Sequence, residues 1–288
     1  MKKFFYCLLI SISALILYLS YFINNEKKVY AVQKFVLFNN NSTIGGFMFK
    51  PKNAGNKVPA VIISHGFLCN LLFSFSYVRS FTRIGFVCFI FDYPNSGTML
   101  FSSGKFFNLK NNSFESEKSD LNTVLNYVQS IDFIDKDHIS LVGCSQGGVI
   151  ATMLTAERSN EINNLILFYP AFNIPIEAHK GQMMDKKFDI NNPPESLRVI
   201  LVVKLYKCYI ESATSLDIYE TIKKINQKIL IVHGDLDIFV NINYSIEASK
   251  VCKNCELLVI KRGTHGFFFG GWSKAMNRTN SFLLDGLK

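Results

Sequence analysis

Gly143-Cys144-Ser145-Gln146-Gly147 stands between a strand-like run, Asp137 to Val142, and a helix-like run beginning Gly148-Val149-Ile150-Ala151. A serine flanked by glycines at that junction belongs on a tight, strained turn that lifts its hydroxyl above a sheet, where it can act as a nucleophile. A hydroxyl attacks an acyl carbon only if a base takes its proton and an acid holds the base in the right tautomer. Two later segments offer them. The apolar run Lys228 to Val232 ends in His233-Gly234-Asp235-Leu236-Asp237, and the run Glu256 to Ile260 leads into Thr264-His265-Gly266-Phe267. Asp237 is the expected acid and His265 the expected base. Asp235 competes for the acid's role, but the first carboxylate of such a turn more often caps the turn itself. His233, at the strand end, reads as a buried, hydrogen-bonded histidine, while His138 and His179 lack comparable partners.

A developing oxyanion needs two backbone N–H donors aimed at it. Val58 to Ser64 reads as another buried strand and runs directly into His65-Gly66-Phe67. The N–H of Phe67 and that of Gln146 are the expected donors, with the His65 side chain bracing the loop. Cys144 beside the serine points into the core and reads as a small apolar filler.

The elements that must position these groups alternate strand and helix. An initial hairpin is expected from Val32 to Phe38 and Thr43 to Lys50. A helix around Leu72 to Ile84, the strand Phe86 to Phe91 and an amphipathic helix Glu115 to Gln129 come next, before the elbow strand and Asn164 to Tyr169. With Ser, Asp and His in that chain order, each just past a strand, the pattern predicts an α/β-hydrolase fold: a mostly parallel twisted sheet flanked by helices. Between Tyr169 and Lys228 nearly sixty residues supply no further sheet strand, so residues of about 172–227 are expected to form a small inserted cap over the site.

The chain has 288 residues, 49% of them hydrophobic, enough for one α/β domain, expected over 32–288. Its net charge of +9, from 31 basic and 22 acidic residues, is spread along the chain. That spread gives no support to nucleic-acid binding, and attraction to an anionic membrane surface is the milder inference. Residues 1–31 read as an export segment: Met1-Lys2-Lys3, an apolar run from Phe4 to Ile23, then Asn24-Asn25-Glu26-Lys27-Lys28. The apolar length favours a signal-anchor, with the catalytic domain outside the cytoplasm, over a signal peptide cleaved after Ala31. Of the seven cysteines, Cys252 and Cys255 form the one close pair, read as a structural turn with a local disulfide possible. No metal site is expected there, since a second pair is missing. Cys69, Cys88 and Cys208 read as core or pocket residues.

Val142 to Gly148, His65-Gly66-Phe67, the His233 to Asp237 turn and Thr264 to Phe267 together resemble the cinnamoyl or feruloyl esterase group of bacterial α/β-hydrolases. The resemblance spans roughly Phe35 to Leu287. It implies hydrolysis of a small ester, with an aromatic acyl part met by polar groups of the cap, and it implies no metal or cofactor. Glu177, His179, Tyr206 and Tyr209 are the cap candidates. Asp92-Tyr93-Pro94-Asn95-Ser96-Gly97 departs from the glycine-rich turn usual after that strand. Two other classes compete: a serine aminopeptidase on the same fold, for which Glu177 and Asp185 would have to bind a substrate amine, and a membrane-anchored binding protein with a vestigial site.

Overall fold

The computed structural model describes residues 29–105, 108–200, 203–267 and 270–288. Eight strands form one sheet: β1 (Tyr30–Asn39), β2 (Ser42–Pro51), β3 (Val58–Ser64), β4 (Val87–Phe91), β5 (Ile134–Cys144), β6 (Asn164–Phe168), β11 (Lys228–Gly234) and β12 (Cys255–Ile260). Their spatial order is β1-β2-β4-β3-β5-β6-β11-β12. β1 pairs antiparallel with β2, and β2 antiparallel with β4, while every later pairing is parallel. This is the expected α/β-hydrolase architecture.

The central strands are apolar at nearly every position because both faces are covered. In β3, Ala60 and Ile62 face one core while Val61 and Ile63 face the other. The first core is closed by α2 (Phe114–Ser130) and α3 (Gln146–Glu157), the second by α1 (Phe75–Arg83) and α8 (Trp272–Asp285). α2 starts at a reciprocal cap, in which the Ser113 hydroxyl accepts from the Ser116 N–H at 3.0 Å and the Ser116 hydroxyl from the Ser113 N–H at 2.9 Å. Such a box satisfies two N–H groups that helix geometry leaves without partners.

The sheet starts slightly earlier than expected. Tyr30 is buried edge-on against Phe49, with ring centroids 5.3 Å apart, and Ala31 pairs with Lys50. The folded unit thus includes Tyr30 and Ala31, and a cut after Ala31 would remove an anchoring ring. The apolar run Phe4 to Ile23 lies outside the described residues. Among the described residues no helix is long and apolar enough to cross a membrane.

Residues between β6 and β11 leave the sheet, as expected. They form α4 (Asn173–Ala178), two short antiparallel ribbons, β7 (Gln182–Met183) with β8 (Lys186–Lys187) and β9 (Ser196–Val199) with β10 (Val203–Tyr206), then α5 (Lys207–Ser215) and α6 (Ile218–Lys223). Cys252, which ends α7 (Asn243–Val251), is disulfide-bonded to Cys255 at the start of β12. Cys88 is buried and Cys69 half-buried, but Cys208 is exposed rather than core, its thiol directed at the Lys110 and Asn112 carbonyls.

α2 also carries Asp120, whose carboxylate accepts from Asn39 Nδ2 at 2.7 Å and thereby ties the helix to β1. Burial pushes its carboxyl up to about 7 against the help of that hydrogen bond, with the Glu117 charge adding to the rise. The folded state therefore holds this proton more tightly than the unfolded chain does, and stability is lost as pH rises from the ordinary carboxylate range through about 7. Thermal melts from pH 5 to 8 are expected to show a falling Tm. Asp120→Asn, which keeps an acceptor for Asn39, should flatten the fall; an unchanged slope would contradict the assignment.

Candidate active site

β5 delivers Ser145 at φ 54°, ψ −119°, a conformation costing on the order of 1–3 kcal/mol that persists only where neighbours enforce it. The neighbours are visible. Ser145 N donates to Phe168 O at 3.0 Å, while Ser145 O accepts from Gly148 N and Ala171 N, both at 2.9 Å. At Gly147 a β-carbon would lie 2.2 Å from the Ser64 carbonyl oxygen, so only glycine lets the elbow seat against β3. Gly66 faces Ser145 itself: a β-carbon there would stand 3.0 Å from Ser145 Cβ and 3.6 Å from its Oγ.

The turns after β11 and β12 bring the other two groups together. His265 Nδ1 donates to Asp237 Oδ2 at 2.7 Å. The second oxygen, Oδ1, accepts the N–H groups of Phe239 at 2.9 Å and Val240 at 3.0 Å. Burial opposes the Asp237 charge, but hydrogen bonds from His233 and His265 outweigh it and hold the carboxyl well below its usual range. A permanently ionised Asp237 keeps the proton on His265 Nδ1 and leaves Nε2 free to accept. Asp235 is engaged elsewhere: its Oδ1 accepts the Arg262 N–H at 2.5 Å and ties the His265 loop to the Asp237 turn. No hydrogen bond joins Ser145 to His265 among the described residues, a common condition before substrate tightens the site.

His233 is buried with its Nδ1 2.7 Å from the Ser245 hydroxyl and its Nε2 3.0 Å from the Val240 carbonyl. It also lies 3.2 Å from Asp237 Oδ2, so it supports the acid as well as filling the core. The Tyr169 ring packs on His265 with centroids 4.4 Å apart, and the exposed Phe239 approaches from the other turn at 5.5 Å. The His265 ring is thus walled by aromatic rings. Cys144 is buried beneath the elbow, and desolvation pushes its thiol up to about 12, which leaves it unsuited to thiolate attack.

The loop expected to supply an oxyanion donor follows β3. Cys69 N donates to Gly66 O at 3.1 Å, closing a turn around Phe67 and Leu68, the latter at φ 51°. Gln146 is the first residue of α3, where the backbone N–H has no partner within the helix. His65 braces this loop as expected. It is fully buried, Nδ1 bonds the Gly66 carbonyl at 3.0 Å, and Nε2 accepts the Tyr93 N–H at 3.3 Å. Burial lowers its basicity, so the ring stays neutral despite the nearby Asp92 charge.

Asp92 had no expected role beyond marking a departure from the family's glycine-rich turn. Its buried carboxylate gathers the N–H groups of Leu71 and Leu100, each at 2.7 Å, and of Phe101 at 2.8 Å. One side chain thus shapes two loops beside the site.

The four cap candidates do not converge. Glu177 accepts from Tyr244 at 2.9 Å, and the exposed His179 bonds the Leu216 carbonyl through Nε2 at 3.0 Å. Tyr206 lies under Lys204, 5.0 Å from its ammonium. Tyr209 is fully buried, and its hydroxyl donates to Gln146 Oε1 at 2.5 Å, so it braces the elbow instead of presenting a surface to substrate. Asp185 accepts the Ile200 N–H at 2.8 Å and pairs with Lys186 at 2.9 Å, so its partners differ from those of Glu177. His138, read as lacking a partner comparable to those of His265, pairs with Asp135 at 2.9 Å. Among the described residues no group of three or more His, Cys, Asp or Glu side chains is placed to hold a metal ion.

Residues 59–189 match the family described as alpha/beta hydrolase fold. The solved structure of Est1E from Butyrivibrio proteoclasticus with ferulic acid bound is similar at 27% identity, with a TM-score of 0.80 over 88% of this chain and 99% of that one. GrgF from Penicillium sp. sh18, at 15% identity and a TM-score of 0.69 over 88% and 98%, shares the fold. So does the dienelactone hydrolase from Anabaena variabilis, at 12% identity and 0.61 over 89% and 98%. Among curated proteins no sequence matches. The family match over residues 59–189, which hold β3 to β6 and the elbow, and the near-complete overlap with Est1E give the chain the α/β-hydrolase fold and a likeness to the feruloyl esterase-like group.

Proposed function

We propose that the protein is a serine carboxylester hydrolase acting on small esters with an aromatic acyl part, through an acyl-enzyme. The observation that carries this reading is the strained Ser145 elbow, bonded to Phe168 next to the Tyr169 ring that packs on His265 of a 2.7 Å Asp237–His265 pair. Ferulic acid bound to the similar Est1E, and the Tyr169 and Phe239 rings beside His265, support the aromatic acyl group.

Ser145 Oγ attacks the ester carbonyl carbon as His265 Nε2 takes its proton. The Phe67 and Gln146 N–H groups receive the negative oxygen, and Asp237 stabilises the imidazolium. His265 then protonates the departing alkoxide, which leaves as the alcohol. Water, deprotonated by His265, attacks the acyl-serine and releases the acid, returning the proton to Ser145. Each step uses only this chain's groups and water.

The reading is tested with methyl ferulate, p-nitrophenyl acetate and aminoacyl anilides under one set of conditions. Both esters should turn over, each with kcat/KM above that for the anilides. Faster cleavage of the anilides would favour the aminopeptidase alternative instead. We also propose that residues 1–31 export the chain and hold it at the membrane with the hydrolase domain outside the cytoplasm, supported by the apolar run Phe4 to Ile23. Cell fractionation with intact mass should find the full chain in the membrane; a soluble product lacking this segment would contradict the anchor.

A further inference from the structure

Glu117 of α2 is buried against the back of the nucleophile elbow. Both its carboxylate oxygens are occupied by amide donors: Asn112 Nδ2 at 2.8 Å on Oε1 and Gln146 Nε2 at 2.8 Å on Oε2. At the other end of the same glutamine, Oε1 accepts the Tyr209 hydroxyl at 2.5 Å. The chain of donors has one direction, from tyrosine hydroxyl to glutamine carbonyl and from glutamine amide to a carboxylate that only accepts. That direction sets which way the Gln146 amide faces.

The same Tyr209 ring packs 5.8 Å from Phe67 and 5.4 Å, edge-on, from Phe114 next to the helix cap. It therefore touches both residues whose backbone N–H groups form the oxyanion hole. Holding a carboxylate in this setting is costly: burial pushes Glu117 up to about 7 even with two amide donors lowering it. Tyr93 and Tyr209, which face it from neighbouring elements, are themselves driven up by burial first and by the Glu117 charge second. An apolar side chain of similar volume would pack without that cost, so the carboxylate is retained for what it bonds.

We propose that Glu117 and Tyr209 are positioning residues that clamp the Gln146 side chain from both ends, hold the oxyanion hole in register and couple it to the cap. The physical reason is that oxyanion donors act only if aimed beforehand at the place where charge develops, and a displacement of about 1 Å is enough to cost on the order of 10²-fold in rate. Gln146 is the first residue of its helix, where the backbone is held by fewer helical bonds than further in. Locking both polar ends of its side chain supplies what that helix end lacks, and Tyr209 makes the lock depend on α5 being docked.

The proposal rests on Ser145 being the nucleophile, and its test reads two reactions. In the purified full-length protein, Glu117→Gln places an amide donor where an acceptor is needed, and Tyr209→Phe removes one hydroxyl. For p-nitrophenyl acetate each is expected to lower kcat by about tenfold or more with KM within twofold, because the hole binds the transition state and not the ground state. The double variant should fall no further than the worse single variant, since either change opens the same clamp. Phosphonylation of Ser145 by an alkyl fluorophosphonate, followed by intact mass, should slow in the same order. Rates are normalised to the final labelled fraction, so a merely structural role, which lowers the folded fraction, leaves the normalised values unmoved.

Normalised rates within twofold of wild type for both variants, or losses that multiply in the double variant, would overturn the proposal. Should Glu117→Gln not fold, Tyr209→Phe alone decides on the same criteria. A wild-type chain that is phosphonylated but inert toward every ester would sink the ester reading while the labelling rates still decide the clamp. A chain neither labelled nor active overturns both.

Discussion

Ser145→Ala is expected to lower kcat/KM for p-nitrophenyl acetate by about 10⁴-fold or more, leaving only the rate that binding and the oxyanion donors provide. The fold should survive. Alanine keeps the elbow's backbone and loses one oxygen at φ 54°, a conformation fixed by backbone bonds to Phe168, Gly148 and Ala171 and not by the side chain. The check is steady-state kinetics beside a thermal melt. Wild-type kcat/KM in a folded alanine variant would remove Ser145 from the mechanism.

A loss of similar size is expected for Asp237→Asn, on the order of 10⁴-fold in kcat, because the amide no longer holds the His265 tautomer with Nε2 free. Asp235→Asn should stay within about tenfold. Its Oδ1 accepts a backbone N–H from Arg262, which an asparagine oxygen also accepts. The contrast separates two carboxylates two residues apart on one turn. Their order of effect is the measurement, and the reverse order would exchange their roles.

Much of this could be read from the chain before any coordinates. Buried parallel strands are short runs apolar at every position, and those at Val58, Phe86, Asn164 and Lys228 announce themselves against the polar turns between them. The elbow, the acid's turn and the histidine loop each follow such a run, so parallel pairing alone places them at one sheet edge. The loop histidine at position 65 was legible too, since its neighbours left it no other use.

Groups whose role depends on a partner far away in the chain were not legible. Glu117 lies on an amphipathic helix and reads as one more solvated carboxylate; it is buried where α3 and α5 pack against α2, and its partners Asn112 and Gln146, with the Tyr209 that bonds Gln146, share no local pattern. Tyr209 was assigned to substrate because a cap tyrosine has a polar tip, but that tip is turned inward to Gln146, 63 residues earlier in sequence. Cys208, next to it on the same helix, shows the same limit. One turn-level signal did exist for Asp92, which ends an apolar strand where a glycine-rich turn was expected, and it marks the carboxylate that collects three N–H groups from two loops.

The central claim is that Ser145 carries the acyl group between two half-reactions. Its most direct test is rapid acid quench of the wild-type chain with p-nitrophenyl acetate, then intact mass and peptide mapping. A single acetyl increment on the peptide containing Ser145, formed with a burst of one p-nitrophenol per active chain and absent from Ser145→Ala, is the expected result. An increment on Cys144 or elsewhere, or steady turnover in which no covalent adduct or burst appears under any quench time, would contradict the account.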